Sequence, residues 1–389
     1  MSDWLGARRI INAYGTNTRL GGGLMAKEVT DAMAAAARGC VEMHDIQAAA
    51  SRAIVDATGA EAGIVTAGAA AALMLGAAAC IARLDPAVMN RLPDSADVAN
   101  EFIVSRSQRN MYDRALRIAG GVIVEVGIPD RLSGPGVRDA SAGELAEAIT
   151  SRTAAVFHLA GAAAEPSLSE VVRVARARGV PVLVDAAAQL PPAENLHRFI
   201  TEGADLVCFS GGKAIGGPQA SGILAGRGDL VSSALIQMLD LDLPESQFVA
   251  PMEFAPLNQL RYLPHHGIGR VAKVGKEEIV GLVTALRRFV AEGQGARTAR
   301  WMARLAALQP AVPRATLTPD RAKPGLTLLE IAFADREAAE RADVALRMRN
   351  PPVHLDASRI RRGLLAVNPI ALDDADLPAL AAALKECCA

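Results

Sequence analysis

Short apolar runs alternate with helical patterns between about residues 60 and 226. Runs such as Val182-Leu183-Val184 are continuously apolar, which is typical of parallel strands covered on both faces. The helical stretch at residues 168–178 follows Pro166-Ser167 and stops before Gly179, as helix boundaries do. The alternation predicts an α/β fold with a mostly parallel, doubly wound sheet. The seven expected strands lie at residues 63–66, 101–105, 121–126, 154–159, 180–185, 205–210 and 221–225.

The alternation of strands and helices stops at residues 240–270, which contain four prolines and the pair His265-His266. We interpret this segment as a linker and active-site loop. A long helix is predicted near residues 276–292, and a smaller α+β domain follows from about residue 297, with strand 327–332, helix 336–349, a pair of strands and closing helix 373–385. The predicted organisation is an N-terminal segment (1–50), a large domain (51–265) and a C-terminal small domain (266–389).

Composition and charge limit the kinds of function that the sequence is compatible with. Hydrophobic residues make up 51% of the chain and charged residues 21%, as in a well-buried globular protein. Lys and Arg number 41 against 42 Asp and Glu, so the basic excess typical of nucleic-acid binding is missing. We therefore expect no nucleic-acid partner. The apolar residues 67–84 contain Gly68 and Gly76 and end in charged residues, which favours a buried helix over a membrane span.

Cysteine and histidine usage suggests neither disulfides nor a metal. The five cysteines and six histidines show no metal-ligand spacing. An odd cysteine count without a secretory signal is typical of reduced thiols, so we expect a cytoplasmic protein.

Two polar residues follow predicted strands and indicate chemistry. Asp185 ends one apolar strand, and Lys213 comes after the next, in Ser210-Gly211-Gly212-Lys213. Ligands of open parallel sheets bind at the carboxyl ends of the strands. An Asp there can pair with a protonated pyridine nitrogen, and a partly desolvated Lys can form an imine. Alone, such an Asp is more often a turn residue and such a Lys a solvated surface group, but their order and spacing together favour a cofactor site.

A third element is the turn Thr66-Ala67-Gly68-Ala69, between the first strand and the Ala-rich helix. Free N–H groups at a helix N-terminus favour a phosphate. Gly68 leaves room for close approach. Taken alone, the segment also fits a small-residue helix packed on the sheet.

The run Lys213-Ala214-Ile215-Gly216-Gly217-Pro218-Gln219 closely resembles the cofactor-lysine segment of bacterial selenocysteine synthase and its relatives among fold type I enzymes that use pyridoxal 5′-phosphate (PLP). Residues 9–21 and 59–66 are similar to other signatures of that family. Its small-molecule branch, typified by D-glucosaminate-6-phosphate ammonia-lyase-like proteins, is the better match. The near-neutral charge and the start of the chain close to residue 12 disfavour the tRNA-linked branch.

The resemblance implies a role for each matched residue. Lys213 is the implied Schiff-base lysine and Asp185 the partner of the ring nitrogen. Gln108 lies in the segment that covers the ring, near Arg109. A homodimer or larger homo-oligomer is also implied, in which Gly216 and Gly217 approach the neighbouring subunit's phosphate. The implied phosphate and hydroxyl contacts within the chain are Gly68, Ala69 and Ser210.

The implied reaction begins with proton abstraction from the α-carbon of a small substrate by Lys213. Elimination would make the protein a PLP-dependent lyase of ammonia-lyase type, acting on an amino acid or amino sugar acid. Selenocysteine synthase-like β-substitution, racemisation and aldol cleavage stay open. A substrate carboxylate needs a cation, for which Arg361 and Arg19 are candidates, and His158 ends a predicted strand that points to the site.

Overall fold

The computed structural model describes residues 5–128, 140–161, 164–320 and 323–388, so the first four residues of the predicted N-terminal segment lie outside it. The strands within these ranges are β1 (Ile11–Ala13), β2 (Ala62–Thr66), β3 (Glu101–Ser105), β4 (Val122–Val126), β5 (Thr153–Leu159), β6 (Val182–Asp185), β7 (Leu206–Ser210), β8 (Gly222–Gly226), β9 (Thr316–Pro319), β10 (Thr327–Ala332), β11 (Val353–Leu355) and β12 (Leu364–Val367). The α-helices are α1 (Lys27–Ala36), α2 (Met43–Thr58), α3 (Ala69–Ala82), α4 (Pro86–Met89), α5 (Arg114–Ile118), α6 (Ala142–Ala148), α7 (Leu168–Arg176), α8 (Asn195–Thr201), α9 (Gly228–Ile236), α10 (Lys276–Leu308), α11 (Arg336–Arg347) and α12 (Leu377–Cys388).

Seven strands form the central sheet, in the order β2-β8-β7-β6-β5-β3-β4. Neighbours run parallel except that β8 is antiparallel to both β2 and β7. Each predicted strand coincides with one of the seven, with small shifts at the ends. The predicted α/β class with a mostly parallel sheet is therefore confirmed. Every residue of β6 is buried, which explains why its apolar run does not alternate.

Helix α3 packs deep against this sheet. All its residues from Ala71 to Ala82 are buried. Gly76 is one reason for the close fit, since a Cβ there would lie 3.1 Å from Leu183 Cδ1. This is the buried helix that the small residues predict. In the part of the chain that the structure describes, no helix is long and apolar enough to cross a membrane.

The C-terminal strands belong to two sheets. β9, β10 and β12 form an antiparallel sheet in the order β12-β10-β9. β11 instead pairs in parallel with β1, with Ile11 opposite Val353. Directly after β11, Asp356 forms an antiparallel bridge with Ala366 of β12, so the two strands of the predicted pair are also neighbours. Ile11 and Ala13 accordingly lie in the core formed by the C-terminal helices and strands.

Part of the segment 240–270 lies at the C-terminal end of α3. The guanidinium of Arg261 pairs with Asp85 at 3.2 Å, and the His265 backbone N–H donates to Asn90 Oδ1 at 2.7 Å. Asp85 follows the C-terminal end of α3, whereas the turn at Gly68 precedes its N-terminal end. A helix of this length spans about 20 Å. Arg270, however, lines a cavity with Gln47, whose amide donates to the Val65 carbonyl near the carboxyl end of β2, so the interpretation of the segment as an active-site loop stays a prediction.

Substituting Gly222 with alanine is expected to destabilise the start of α3. Its Cβ would lie 2.5 Å from the carbonyl carbon of Gly68 and 2.7 Å from the Ala69 nitrogen. Overpacking of this kind costs about 1–3 kcal/mol of unfolding free energy, measurable by urea denaturation. The matched control is Gly295→Ala, on an exposed helical site with nothing within 4 Å, where alanine should be neutral or stabilising. Equal effects of the two variants would contradict the close approach.

Candidate active site at the carboxyl edge of the sheet

Three neighbouring strands bring their carboxyl ends to one edge. Leu159 on β5 lies in register with Asp185 on β6, and Asp185 lies in register with Cys208 on β7. Lys213 follows β7 in the next turn. Asp185 and Lys213 therefore lie at the ends of adjacent parallel strands. This is the edge at which ligands bind in such sheets.

Asp185 is a buried carboxyl group with 5% of its surface exposed. Its Oδ1 accepts hydrogen bonds from the Ala187 backbone N–H at 3.0 Å and from the Cys208 thiol at 3.5 Å. Burial raises the pKa of Asp185, and these hydrogen bonds and the positive charge of Lys213 oppose the rise. The carboxylate is therefore poised to be stabilised by a further donor or cation. Sequence reasoning missed Cys208, whose only signal was its place in the strand beside Asp185.

Lys213 is half-buried, and burial lowers the pKa of its ammonium while Asp185 and Cys208 oppose the change. A lowered pKa increases the fraction of neutral amine, which is the nucleophilic and basic form. The glycines before it allow a tight turn: a Cβ on Gly212 would lie 2.5 Å from Gln219 Cα. The N-terminal segment also covers this turn, since the Gly23 N–H donates to the Gly212 carbonyl at 3.2 Å.

The turn between β2 and α3 has the shape of an anion site. Gly68 has a φ of +91°, and nothing lies within 4 Å of the position its Cβ would take. Ala69 begins α3, so its N–H belongs to the first helical turn, where N–H groups are free for a ligand. The Thr66 hydroxyl donates to the Gly68 carbonyl at 3.0 Å and fixes the turn.

Gln108 reaches the same edge from the turn after β3. It is 5% exposed, and its Oε1 accepts the Leu159 N–H at 2.9 Å. Its Nε2 is buried without a hydrogen-bond partner among the described residues. Because buried donors are nearly always paired, this orphaned amide indicates that an acceptor belongs beside it. The predicted position of Gln108 over the site is compatible with that geometry.

His158, the residue before Leu159, is 3% exposed, and burial lowers its pKa to about 4. The imidazole is therefore neutral at physiological pH and supplies no positive charge for a substrate carboxylate. It lines a cavity of about 330 Å³ together with Gln189, Asn195 and Pro324. This cavity adjoins the strand ends that carry the other site residues.

The remaining predicted residues are less closely tied to the site. Ser210 ends β7, directly before the Lys213 turn. Gly217 is buried, and a Cβ there would lie 3.0 Å from Leu282 Cδ1, so its small size serves packing within the chain. Its contact with a neighbouring subunit's phosphate stays a prediction. Arg19 and Arg361 are both exposed. Their role in binding a carboxylate also stays a prediction.

A second cavity of about 620 Å³ lies beside Lys213 and Gly216 and is lined by several arginines. Those arginines already have partners. Arg297 pairs with Glu292 at 3.2 Å, and Arg304 pairs with Asp374 at 2.6 Å. Neither guanidinium is therefore a free cation for a substrate.

The side chains at this edge fit PLP. Asp185 can pair with the ring nitrogen, Lys213 can bind the aldehyde, and the Gly68–Ala69 turn can hold the phosphate. The orphaned Gln108 Nε2 can donate to the cofactor's oxygen substituents. No group of three or more possible metal ligands occurs in residues 5–128, 140–161, 164–320 and 323–388.

Comparisons with known proteins find a matching family model and similar proteins of known activity. The family model described as L-seryl-tRNA selenium transferase matches residues 10–242. A 5′-C-glycyluridine monooxygenase-decarboxylase from a Streptomyces species is 32% identical over 95% of this chain and 87% of that protein. A D-glucosaminate-6-phosphate ammonia lyase from Salmonella typhimurium is 29% identical over 98% of this chain and 96% of that protein.

Solved structures show the same architecture. The structure of a D-glucosaminate-6-phosphate ammonia-lyase covers 99% of this chain and 96% of its own, with a TM-score of 0.80 and 27% identity. A serine palmitoyltransferase from S. paucimobilis with bound PLP-myriocin covers 97% of this chain and 86% of its own, with a TM-score of 0.55. At 14% identity, the second likeness shows the fold alone.

Replacing His158 with phenylalanine is expected to make the unfolding free energy less dependent on pH between 6.5 and 4. The pKa of His158 falls from 6.5 to about 4 on folding. Between these pH values the imidazole is protonated in the unfolded chain and neutral in the folded chain. The stabilisation that comes from keeping His158 neutral is fully present above pH 6.5. About 3 kcal/mol of the unfolding free energy is lost as the pH falls from 6.5 towards 4. Urea denaturation across this range measures the difference. The exposed His197→Gln is the control and should keep the wild-type slope.

Proposed function

The chain belongs to the L-seryl-tRNA selenium transferase family of PLP-dependent enzymes, and we propose that it binds PLP through Lys213 and acts as a lyase. It has the architecture of fold type I PLP enzymes. The proposed substrate is a small amino acid or amino sugar acid, from which ammonia is released. The observation that carries the proposal is the half-buried Lys213 beside the buried carboxyl group of Asp185 at the carboxyl edge of the sheet.

Each residue has a defined task in this proposal. When bound, PLP supplies a ring that withdraws electrons from the substrate's α-carbon. Asp185 holds the positive charge at the ring nitrogen, and the N-terminus of α3 at Ala69 holds the phosphate. Lys213 holds the aldehyde until the substrate amine displaces it. Its lowered pKa then suits Lys213 Nζ to accept the proton of the α-carbon.

Elimination completes the proposed reaction. The electron pair left at the α-carbon forms a double bond to the β-carbon, and the β-substituent departs with its bonding electrons. Lys213 can return its proton to the product, and water then releases ammonia and a keto acid. The D-glucosaminate-6-phosphate ammonia lyase among the relatives supports this outcome, since it shares most of its length with this chain.

Two further outcomes have specific support. The relative named as a monooxygenase-decarboxylase favours loss of a carboxyl group at the same site. The family description favours β-substitution on a tRNA-borne seryl group. The net charge of −1 speaks against tight tRNA binding. We also propose that the protein is cytoplasmic and assembles as a homodimer or larger homo-oligomer, with Gly217 near the partner's cofactor.

Lys213→Ala is expected to abolish the visible absorption that the protein gains with PLP and that borohydride removes. The reason is that Lys213 supplies the amine that reacts with the aldehyde. The control is Lys273→Ala, which removes an exposed lysine and should leave the band unchanged. Persistence of the band in Lys213→Ala would overturn the assignment.

The products of the wild-type protein decide among the reactions. The PLP-loaded enzyme is incubated with D- and L-β-hydroxy amino acids and amino sugar acids, and ammonia, keto acid, carbon dioxide and oxygen uptake are measured. Ammonia and keto acid in equal amounts support the lyase. Carbon dioxide with oxygen uptake contradicts it and favours the decarboxylase. Salt-sensitive gel shifts with tRNA would favour the seryl-transfer reaction instead.

Asp185→Asn is expected to change cofactor affinity and protein stability in opposite directions. Loss of the charge-assisted bond to the ring nitrogen should weaken PLP binding about 10- to 100-fold. Because burial raises the pKa of Asp185, its ionised form opposes folding at neutral pH. The ligand-free variant should therefore melt at a higher temperature than the wild type, and the difference should vanish as the pH falls and Asp185 becomes protonated. A lower melting temperature at neutral pH would contradict this prediction.

A further inference from the structure

The buried thiol of Cys208 lies beside the carboxyl group of Asp185. The two residues are in register on the adjacent parallel strands β6 and β7. Cys208 is fully buried, and its Sγ donates a hydrogen bond to Asp185 Oδ1 at 3.5 Å. Its backbone carbonyl accepts the N–H of Ala186 at 3.0 Å. Cys208 is therefore fixed against the end of β6 by its backbone and bonded to Asp185 by its side chain.

The two oxygens of the Asp185 carboxyl group have different surroundings. Oδ1 accepts both the Cys208 thiol and the Ala187 backbone N–H, the latter at 3.0 Å. Oδ2 accepts no hydrogen bond from any residue that the structure describes. Because Asp185 is only 5% exposed, an unpaired carboxylate oxygen is costly unless a ligand supplies a donor. The two hydrogen bonds therefore orient the carboxyl group so that Oδ2 is the oxygen left for a ligand.

Cys208 differs in this respect from Cys80, the other buried cysteine on an element that packs in the same core. Cys80 lies on α3 and is 2% exposed, and its thiol makes no hydrogen bond within the described part of the chain. Burial and the charge of Asp185 raise the pKa of the Cys208 thiol, so it stays protonated and can donate. A thiol is a weak donor. It therefore holds Oδ1 while leaving most of the carboxylate's negative charge for another partner.

We propose that Cys208 is a positioning residue for the cofactor: its thiol holds Oδ1 of Asp185, so that Oδ2 faces the ring nitrogen of PLP. This inference rests on the proposed function and deepens it, because it gives the two carboxyl oxygens different tasks. Without the thiol, the carboxyl group has to be ordered when the cofactor binds, and this ordering weakens the pairing with the ring nitrogen in particular.

The test compares PLP with 1-deazapyridoxal 5′-phosphate, in which a carbon replaces the ring nitrogen. The dissociation constants of both compounds are measured by calorimetric titration, and their ratio reports the pairing of the ring nitrogen with Asp185. Cys208→Ala should reduce the preference for PLP about 3- to 10-fold, which is the effect of losing one hydrogen bond. Cys208→Val fills the space without a donor and should reduce the preference to a similar extent.

Cys80→Ala is the matched control, because it opens a similar cavity at a thiol that has no acceptor. It should lower the stability of the protein and leave the ratio of the two dissociation constants unchanged. In an Asp185→Asn background, Cys208→Ala should no longer change the ratio, since the charged partner of the ring nitrogen is then absent.

Failure of this inference differs from failure of the proposed function. A ratio that stays unchanged in Cys208→Ala and Cys208→Val, or that changes equally in Cys80→Ala, means that Cys208 serves packing alone. A wild-type protein that gains no Lys213-dependent visible band with PLP contradicts the proposed function itself.

Discussion

The site depends on two opposite charges that are partly removed from water and placed at the ends of neighbouring strands. Burial raises the pKa of Asp185 and lowers that of Lys213, so it disfavours the charged form of each group. Desolvated charges of this kind are costly, and only their mutual attraction and a few hydrogen bonds offset the cost. A bound ligand that pairs with these two groups would therefore stabilise their charges more than the ligand-free protein does.

The parallel sheet is what makes this arrangement possible. β5, β6 and β7 run in the same direction, so Leu159, Asp185 and Cys208 reach one edge in register. The same register brings Gln108 to Leu159 and leaves its Nε2 without a partner. β8, which runs antiparallel, brings Gly222 against the turn that precedes α3. The turn at Gly68 and the charged pair are therefore parts of one packed unit.

The C-terminal part of the chain contributes to this unit from the other side. β1 joins β11 and so ties the N-terminal segment to the C-terminal core. From there the chain passes to Gly23, which contacts the Lys213 turn. The N-terminal segment therefore links the C-terminal core to the Lys213 turn.

Sequence alone determined the local features of this protein. The apolar runs of β6 and β7 indicated the parallel sheet and its carboxyl edge. The glycines around Lys213 indicated the turn that carries this lysine after Asp185. Both could be predicted because strand burial and turn formation depend on residues that are close together in the sequence. Tertiary structure alone decided the pairing of β1 with β11, the burial that lowers the pKa of His158 and the contact of Gly23 with the Lys213 turn. These depend on contacts between residues far apart in the chain, and on how much water those contacts exclude, which no local pattern encodes.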